Sequence, residues 1–154
     1  MMPRLFAWAL LCLCAAPAQA EPLAAGDLAR LRHAADAGAV HALFDLGRMY
    51  RHGIGVQRDS VRAFGLIDAA ARRAYPAAMF TLSNMLVGGE GAPSDEAGAR
   101  RWLEAAAESD YPEAMQQLAM NVQEGAVGFE RDERRAAQLM RALAHAMKHR
   151  AHER

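Results

Sequence analysis

The sequence predicts an all-α fold, a right-handed α-solenoid of helix-turn-helix units, and three observations lead to this prediction. The first is a period of 36 residues, which separates Ala42, Ala78 and Ala114. The second is that each period contains two amphipathic helical patterns, and the third is a glycine-rich break between them. A fixed period of this length is typical of small units that stack on their neighbours and bury a common core. We expect one capping helix followed by three helix pairs.

The first 20 residues have the features of a cleavable signal peptide. Arg4 supplies a positive charge, residues 5–16 form an apolar run, and Ala18-Gln19-Ala20 is a small-x-small cleavage site. The apolar run is shorter than the roughly 20 residues that a bilayer crossing requires. We therefore expect cleavage after Ala20, and a periplasmic or secreted domain over residues 21–154 that is not inserted in a membrane.

The capping helix is a partial copy of the repeat. Asp27 has the residue type of an N-cap, and Gly38 is placed to end the helix. Leu28, Leu31 and Ala34 lie between them at helical spacing and form the expected apolar side.

The first helix of each pair begins at Val40, Pro76 or Pro112. Proline is tolerated there because the first amide of a helix has no helical acceptor. A small residue, Gly47 in the first copy, follows the central leucine and lets a neighbouring helix approach closely. The apolar sides are Ala42, Leu46, Met49 and Tyr50, then Ala78, Leu82, Met85 and Leu86, then Ala114, Leu118 and Val122.

The second helix of each pair follows a glycine-rich turn. Gly53, Gly89 and Gly125 are placed to adopt the left-handed conformation that ends the preceding helix. Aspartates at the same period are expected N-caps or first-turn acids, and the third turn has one extra residue. The aspartates are Asp59, Asp95 and Asp132, and the apolar positions are Ala63, Leu66, Ile67 and Ala70, then Ala99, Trp102, Leu103 and Ala106, then Ala136, Leu139, Met140 and Leu143.

The run ALFDLGRMYRHGIGVQRD, residues 42–59, closely resembles the Sel-one-like repeat family, whose unit reads approximately A-x-x-x-L-G-x-x-Y-x-x-G-x-G-V-x-x-D. The resemblance extends over residues 27–149, with units at 40–75, 76–111 and 112–149. Later copies depart from it, since Leu86 and Val122 replace the tyrosine. The resemblance implies a tetratricopeptide-related superhelix that acts as an adaptor or regulator through protein contacts.

A candidate binding groove follows from the resemblance, because related repeats line their concave face with the first helix of each pair. Two phenylalanines 36 residues apart are the expected anchors for a partner segment. One asparagine is expected to bond peptide backbone, and two arginines to hold carboxylates. In the alternative interpretation the two phenylalanines pack between successive helix pairs as core residues. The predicted binding residues are Phe44, Arg48, Arg51, Phe80, Asn84 and Gln116.

Composition narrows the class of function. The chain has 18 basic and 18 acidic residues, and this balance argues against nucleic acid as a partner. Another protein is therefore the expected partner of a non-enzymatic module. An alternative is an inhibitor or immunity protein for a secreted enzyme, because residues 90–133 contain eleven acids and three arginines.

An enzyme is the less favoured alternative. Exported family members with extra cysteines are linked to β-lactam binding or hydrolysis, which the resemblance extends to this chain only weakly. Here Cys12 and Cys14 fall within the signal segment, and no Ser-x-x-Lys motif is present.

The C-terminal helix raises two further possibilities. Three histidines at helical spacing could approach a metal, but Lys148 and Arg150 beside them repel cations, so we expect no metal and no cofactor. An apolar side with no following repeat could support weak self-association of a monomer. The histidines are His145, His149 and His152, and the apolar residues are Leu139, Met140, Leu143 and Met147.

Overall fold

The computed structural model describes residues 25–152, with side chains for residues 26–148. The predicted signal segment, residues 1–20, lies outside the described residues. The described chain forms seven helices and no strand, which confirms the predicted all-α solenoid of helical repeats. The helices are α1 (Ala25–Asp36), α2 (Val40–His52), α3 (Ser60–Ala71), α4 (Pro76–Gly88), α5 (Glu96–Glu108), α6 (Pro112–Glu124) and α7 (Glu133–His152).

Successive helices pack in chain order. The pairs α2–α3, α4–α5 and α6–α7 form the three repeat units, while α1, α3 and α5 each pack on the first helix of the following unit. The largest fully buried side chains are spread over these helices, so the core runs along the whole stack. They are Ile67, Leu82, Met85, Leu103 and Val122.

Aspartate N-caps begin the second helix of each pair, as predicted. The Oδ1 atoms of Asp59, Asp95 and Asp132 each accept a hydrogen bond of 2.9 Å from the backbone N–H three residues later. These bonds satisfy amides that lack a helical acceptor. Asp27 differs from the prediction, because α1 already begins at Ala25. Asp27 therefore lies in the first turn of that helix rather than at its N-cap.

Left-handed glycines end the first helix of each pair, as the periodic glycines predict. Gly53, Gly89 and Gly125 have φ values of 71°, 63° and 71°. Each donates its N–H to the carbonyl four residues earlier. This geometry closes the helix and directs the chain into the turn.

Helices α2 and α3 approach each other closely at Gly47, as predicted. A Cβ atom there would lie 2.7 Å from Cγ1 of the buried Ile67 on α3. Ser83 occupies the same place in the second unit, and its Oγ donates to the carbonyl of Ala99 at 2.8 Å. A small residue at this position therefore sets how closely the two helices of a unit approach each other.

One side of α7 is not covered by another described element. Met140 stands where Ile67 and Leu103 stand in the earlier units, and those two side chains are buried. Met140 and Met147 are 48% and 57% exposed, whereas Leu143 is buried against the third unit. Half of the predicted apolar side thus serves the unit's own core.

None of the helices in residues 25–152 combines the length and the apolar character that a bilayer crossing requires.

Candidate binding face

The first helices of the three units, α2, α4 and α6, present a row of solvent-facing side chains, called here the α2–α4–α6 face. Its exposed positions recur with the 36-residue period, as with Arg48, Asn84 and Met120. The buried leucines and alanines of the same helices point to the opposite side, toward α3, α5 and α7. The face is therefore the surface that the repeat leaves available on its first helices.

An aromatic ladder joins the helices of this face. The ring of Tyr75, at the N-cap of α4, meets His41 and Phe44 of α2 edge-on, with centroid distances of 4.9 and 5.1 Å. In the next unit, Tyr111 at the N-cap of α6 contacts Phe80 of α4 with a centroid distance of 5.7 Å. Edge-on pairs at these distances are attractive beyond their buried area. The ladder thus fixes each first helix against the next.

The two tyrosines were not among the predicted binding residues. Tyr75 and Tyr111 stand 36 residues apart, each immediately before the proline that opens a helix. That spacing was a detectable signal, since it is the period of the repeat itself.

The two phenylalanines do not share one environment. Phe44 is 8% exposed and belongs to the core, which corresponds to the alternative interpretation that it packs between successive units. Phe80 is only partly buried: its ring packs against the core and contacts Tyr111, but it keeps some exposed surface on the face. The expected pair of presented rings is therefore corrected to one, at Phe80.

The two predicted arginines also differ. Arg48 is exposed, with its Cζ atom 5.7 Å from the ring centroid of Phe44, and it forms no ion pair within residues 26–148. Arg51 instead binds Glu90 in the next unit, with Nε 2.9 Å and Nη2 2.8 Å from Oε2. This ion pair corrects the predicted role of Arg51, because the guanidinium that would hold a partner's carboxylate is already occupied.

The predicted amide side chains are available for contact. Asn84 and Gln116 are exposed, and neither side chain hydrogen-bonds within the described part of the chain. Two apolar side chains on the same helices, Val87 and Met120, are 45% and 44% exposed. The face therefore offers hydrogen-bonding amides beside apolar contact area.

Charge is uneven along the face. The exposed side chains of α2 include both Arg48 and Asp45, α4 has no charged residue, and α6 exposes the acids Glu113 and Glu124. The apolar and aromatic centre thus lies between an end of mixed charge and an anionic end. This difference distinguishes the two directions in which a peptide could lie on the face.

The pKa of the Tyr111 phenol depends on its burial and on nearby charges. Burial raises the pKa of Tyr111 above its ordinary value of 10.0, and the nearby charge of Glu113 raises it further. The field of Arg48 acts in the opposite direction. Arg48 and Tyr111 therefore interact electrostatically although they belong to different units.

Two of the serine hydroxyls have structural partners. Ser109, like Ser83, donates its hydroxyl to a backbone carbonyl, that of Ala105 at 3.0 Å. Within the described side chains, no three histidines, cysteines or carboxylates are grouped in a way that could hold a metal ion. The side chains of His149 and His152, which belong to the predicted histidine face, lie outside the described residues.

Comparison with known proteins identifies the repeat. The Sel1 repeat family matches residues 40–75, 76–111 and 112–146. A search of curated proteins finds no match.

Two solved structures are similar to the chain over 77% of its length. A Sel1 repeat protein from Oxalobacter formigenes has 25% identity and a TM-score of 0.67. A protective antigen present in uropathogenic Escherichia coli strains, which displays an SLR fold, has 28% identity and a TM-score of 0.72. The chain spans 55% of the first protein and 25% of the second. Sel1 repeats generally mediate interactions between proteins, and with three matched units the chain belongs to the Sel1 repeat family.

Proposed function

We propose that the chain is a non-enzymatic adaptor or regulator in the bacterial periplasm, which binds a segment of another protein on the α2–α4–α6 face. The observation that carries the proposal is the composition of this face. A partly buried aromatic ring, exposed amides and exposed apolar side chains lie between an end of mixed charge on α2 and an acidic end on α6. Such a combination suits an extended or helical segment, because side-chain contacts and backbone hydrogen bonds can form together.

The proposed contacts are assigned by position. Phe80 is the apolar anchor, and Asn84 bonds the backbone of the partner segment. Arg48 holds a carboxylate of the partner, since its guanidinium has no acidic partner among the described residues. Gln116 extends the hydrogen-bonding row onto α6. The periplasmic location is supported by the signal-peptide features of residues 1–20.

The experiment is capture of a partner from envelope extract by purified protein, comparing Phe80→Ser with Val61→Ser. Val61 lies on α3, outside the face, and is 72% exposed, so its substitution removes an apolar side chain elsewhere with little loss of packing. We expect Phe80→Ser to lose the captured protein and Val61→Ser to retain it, with both variants helical by circular dichroism. Equal capture by the two folded variants would contradict the proposed site.

A second candidate, an inhibitor or immunity protein for a secreted enzyme, is favoured by the acidic end of the face at Glu113 and Glu124. Acids that cover a basic active-site rim make binding strongly dependent on salt. Affinity for the captured protein that stays constant between low and high salt would exclude this candidate.

A further inference from the structure

A cleft between α1 and α3, called here the α1–α3 cleft, shares no residue with the proposed binding face. It has a volume of about 390 Å³ and is lined by side chains of α1, α2 and α3. An adjoining lobe of about 530 Å³ extends it along the turn at residues 55–59. Arg32, Tyr50 and Arg62 line both lobes.

Arg62 is held in a fixed position in this cleft. Its Nη1 donates to the Tyr50 hydroxyl at 3.0 Å, and its Cζ lies 4.9 Å from the Tyr50 ring centroid. Tyr50 itself is buried, so the phenol is a rigid support. A guanidinium has five N–H donors, and Tyr50 accepts from one of them. None of the others has a carboxylate partner in the described chain.

The third unit shows what occupies the corresponding place elsewhere in the stack. Glu104 on α5 stands two periods after Arg32, and Arg135 on α7 corresponds to Arg62 when the extra turn residue is counted. The Nη2 atom of Arg135 lies 3.3 Å from Oε1 of Glu104. The position between α1 and α3, between α3 and α5, or between α5 and α7 is called here a junction. In the third junction, a carboxylate of α5 therefore binds the arginine of α7.

The middle junction has the acid but not the arginine. Asp68 stands one period after Arg32, and Gly98 stands one period after Arg62. Asp68 accepts instead from Nε of Arg72 at 2.7 Å. Of the three equivalent junctions in the described chain, the first alone has two guanidinium groups at these positions.

Two acids, Asp36 and Asp59, also line the cleft, but neither forms an ion pair with Arg32 or Arg62. Asp59 caps α3 through the backbone N–H of Arg62. Arg58 at the rim lies 3.7 Å from Glu90 in the second unit. Both guanidinium groups of the pair therefore keep N–H donors that no carboxylate of the described chain accepts.

We propose that the α1–α3 cleft binds a carboxylate group between Arg32 and Arg62, in the place that the Glu104 carboxylate takes in the third junction. The Arg62 guanidinium, already oriented by Tyr50, donates to the carboxylate, and Arg32 supplies the second positive charge. The group comes from a free dicarboxylate or from an acidic side chain of a protein segment, since the cleft recognises the same chemistry in both.

The experiment is a titration of the folded protein followed by the Nε–Hε NMR signals of its arginines, with ionic strength held constant by sodium chloride. One arm uses sodium succinate, and the other uses an acetylated, amidated glutamate tripeptide. We expect the Arg62 signal to shift in saturable fashion in at least one arm, while the Arg135 signal does not shift. A stronger response to the peptide assigns the cleft to a protein ligand. No saturable shift in either arm would overturn the proposal.

Two charge reversals provide the decisive controls. Arg32→Glu places in the cleft the carboxylate that the third junction already has. The apparent Kd measured from the Arg62 signal should therefore rise at least about tenfold. Glu104→Arg recreates the first junction in the third, and the Arg135 signal should then gain a saturable response. An Arg62 response that persists unchanged in Arg32→Glu would also overturn the proposal, because the two arginines would not act on one ligand.

Discussion

Truncation of the two phenylalanines tests the difference between a ring that holds the units together and a ring that faces a partner. Phe44 is in the core and meets Tyr75 edge-on at 5.1 Å, whereas Phe80 is partly buried against Tyr111. Replacing a buried phenylalanine by alanine costs about 3–5 kcal/mol, because transfer energy is lost and a cavity remains. For Phe80 we expect a smaller loss, because part of its surface stays in water and only the buried part contributes transfer energy.

The measurement is urea unfolding followed by circular dichroism at 222 nm, together with thermal unfolding. For a chain of this size, a loss of 3–5 kcal/mol corresponds to a decrease in Tm of roughly 10–20 °C. We expect that decrease for Phe44→Ala and a smaller decrease for Phe80→Ala. Partner capture is then compared at a temperature at which both variants are folded, and only Phe80→Ala should lose it.

Two results would refute this reasoning. If Phe44→Ala cost less than about 1 kcal/mol, the ring would not be part of the packing between units. If Phe80→Ala destabilised the protein as much as Phe44→Ala, the partly buried ring would be core in solution. A double-mutant cycle between Phe44 and Tyr75 isolates their mutual contact, for which we expect about 0.5–1.5 kcal/mol.

The remaining predictions concern helix packing and pH. Gly47→Ala should destabilise the protein relative to Gly65→Ala by about 1–3 kcal/mol, because a Cβ at Gly47 meets Ile67 at 2.7 Å, whereas one at Gly65 meets nothing within 4 Å. Equal effects on the urea midpoint would show that α2 and α3 are not packed so closely. The pKa of Tyr111 is raised in the folded protein. The contribution of the protonated phenol to folding stability is therefore fully present below pH 10.0 and is lost as pH rises through the folded pKa. The free energy of unfolding should therefore fall more between pH 9 and pH 11 for the parent chain than for Tyr111→Phe. The reverse order would contradict the direction of the pKa shift.

The fold was predictable because its requirements repeat with the chain. A left-handed residue at Gly53 and an N-cap at Asp59 recur at each period, so every turn is specified again in the next copy. The prediction was wrong at Asp27, where α1 begins earlier and the strict pattern is absent. A local signal such as an N-cap residue, when the repeat period does not support it, locates a helix end only to within one or two residues.

The candidate site was less predictable, because one of its decisive contacts has no equivalent in another copy. Arg51 binds Glu90, whereas Val87 stands one period after Arg51 and Ile54 one period before Glu90. Phe44 and Phe80 are identical residues at equivalent positions, yet their burial differs with the residues around them. Residue type and spacing locate such side chains on the face, but the neighbouring helix decides whether each one is presented or packed.

Equivalent positions in successive repeat units can be compared directly, and this comparison distinguishes residues that maintain the stack from residues available for binding. Positions that are apolar in every copy, such as Leu46, Leu82 and Leu118, are buried and maintain the stack. The exposed row at Arg48, Asn84 and Met120 changes from a cation to an amide to a thioether, although all three positions have the same place in the fold. The stack does not require this variation, because each of these side chains lies outside the core. The same reasoning applies at the junctions, where Arg32 replaces an acid without loss of the helix that carries it. Copy-to-copy differences at solvent-facing positions are therefore where we place the determinants of the proposed partner's identity.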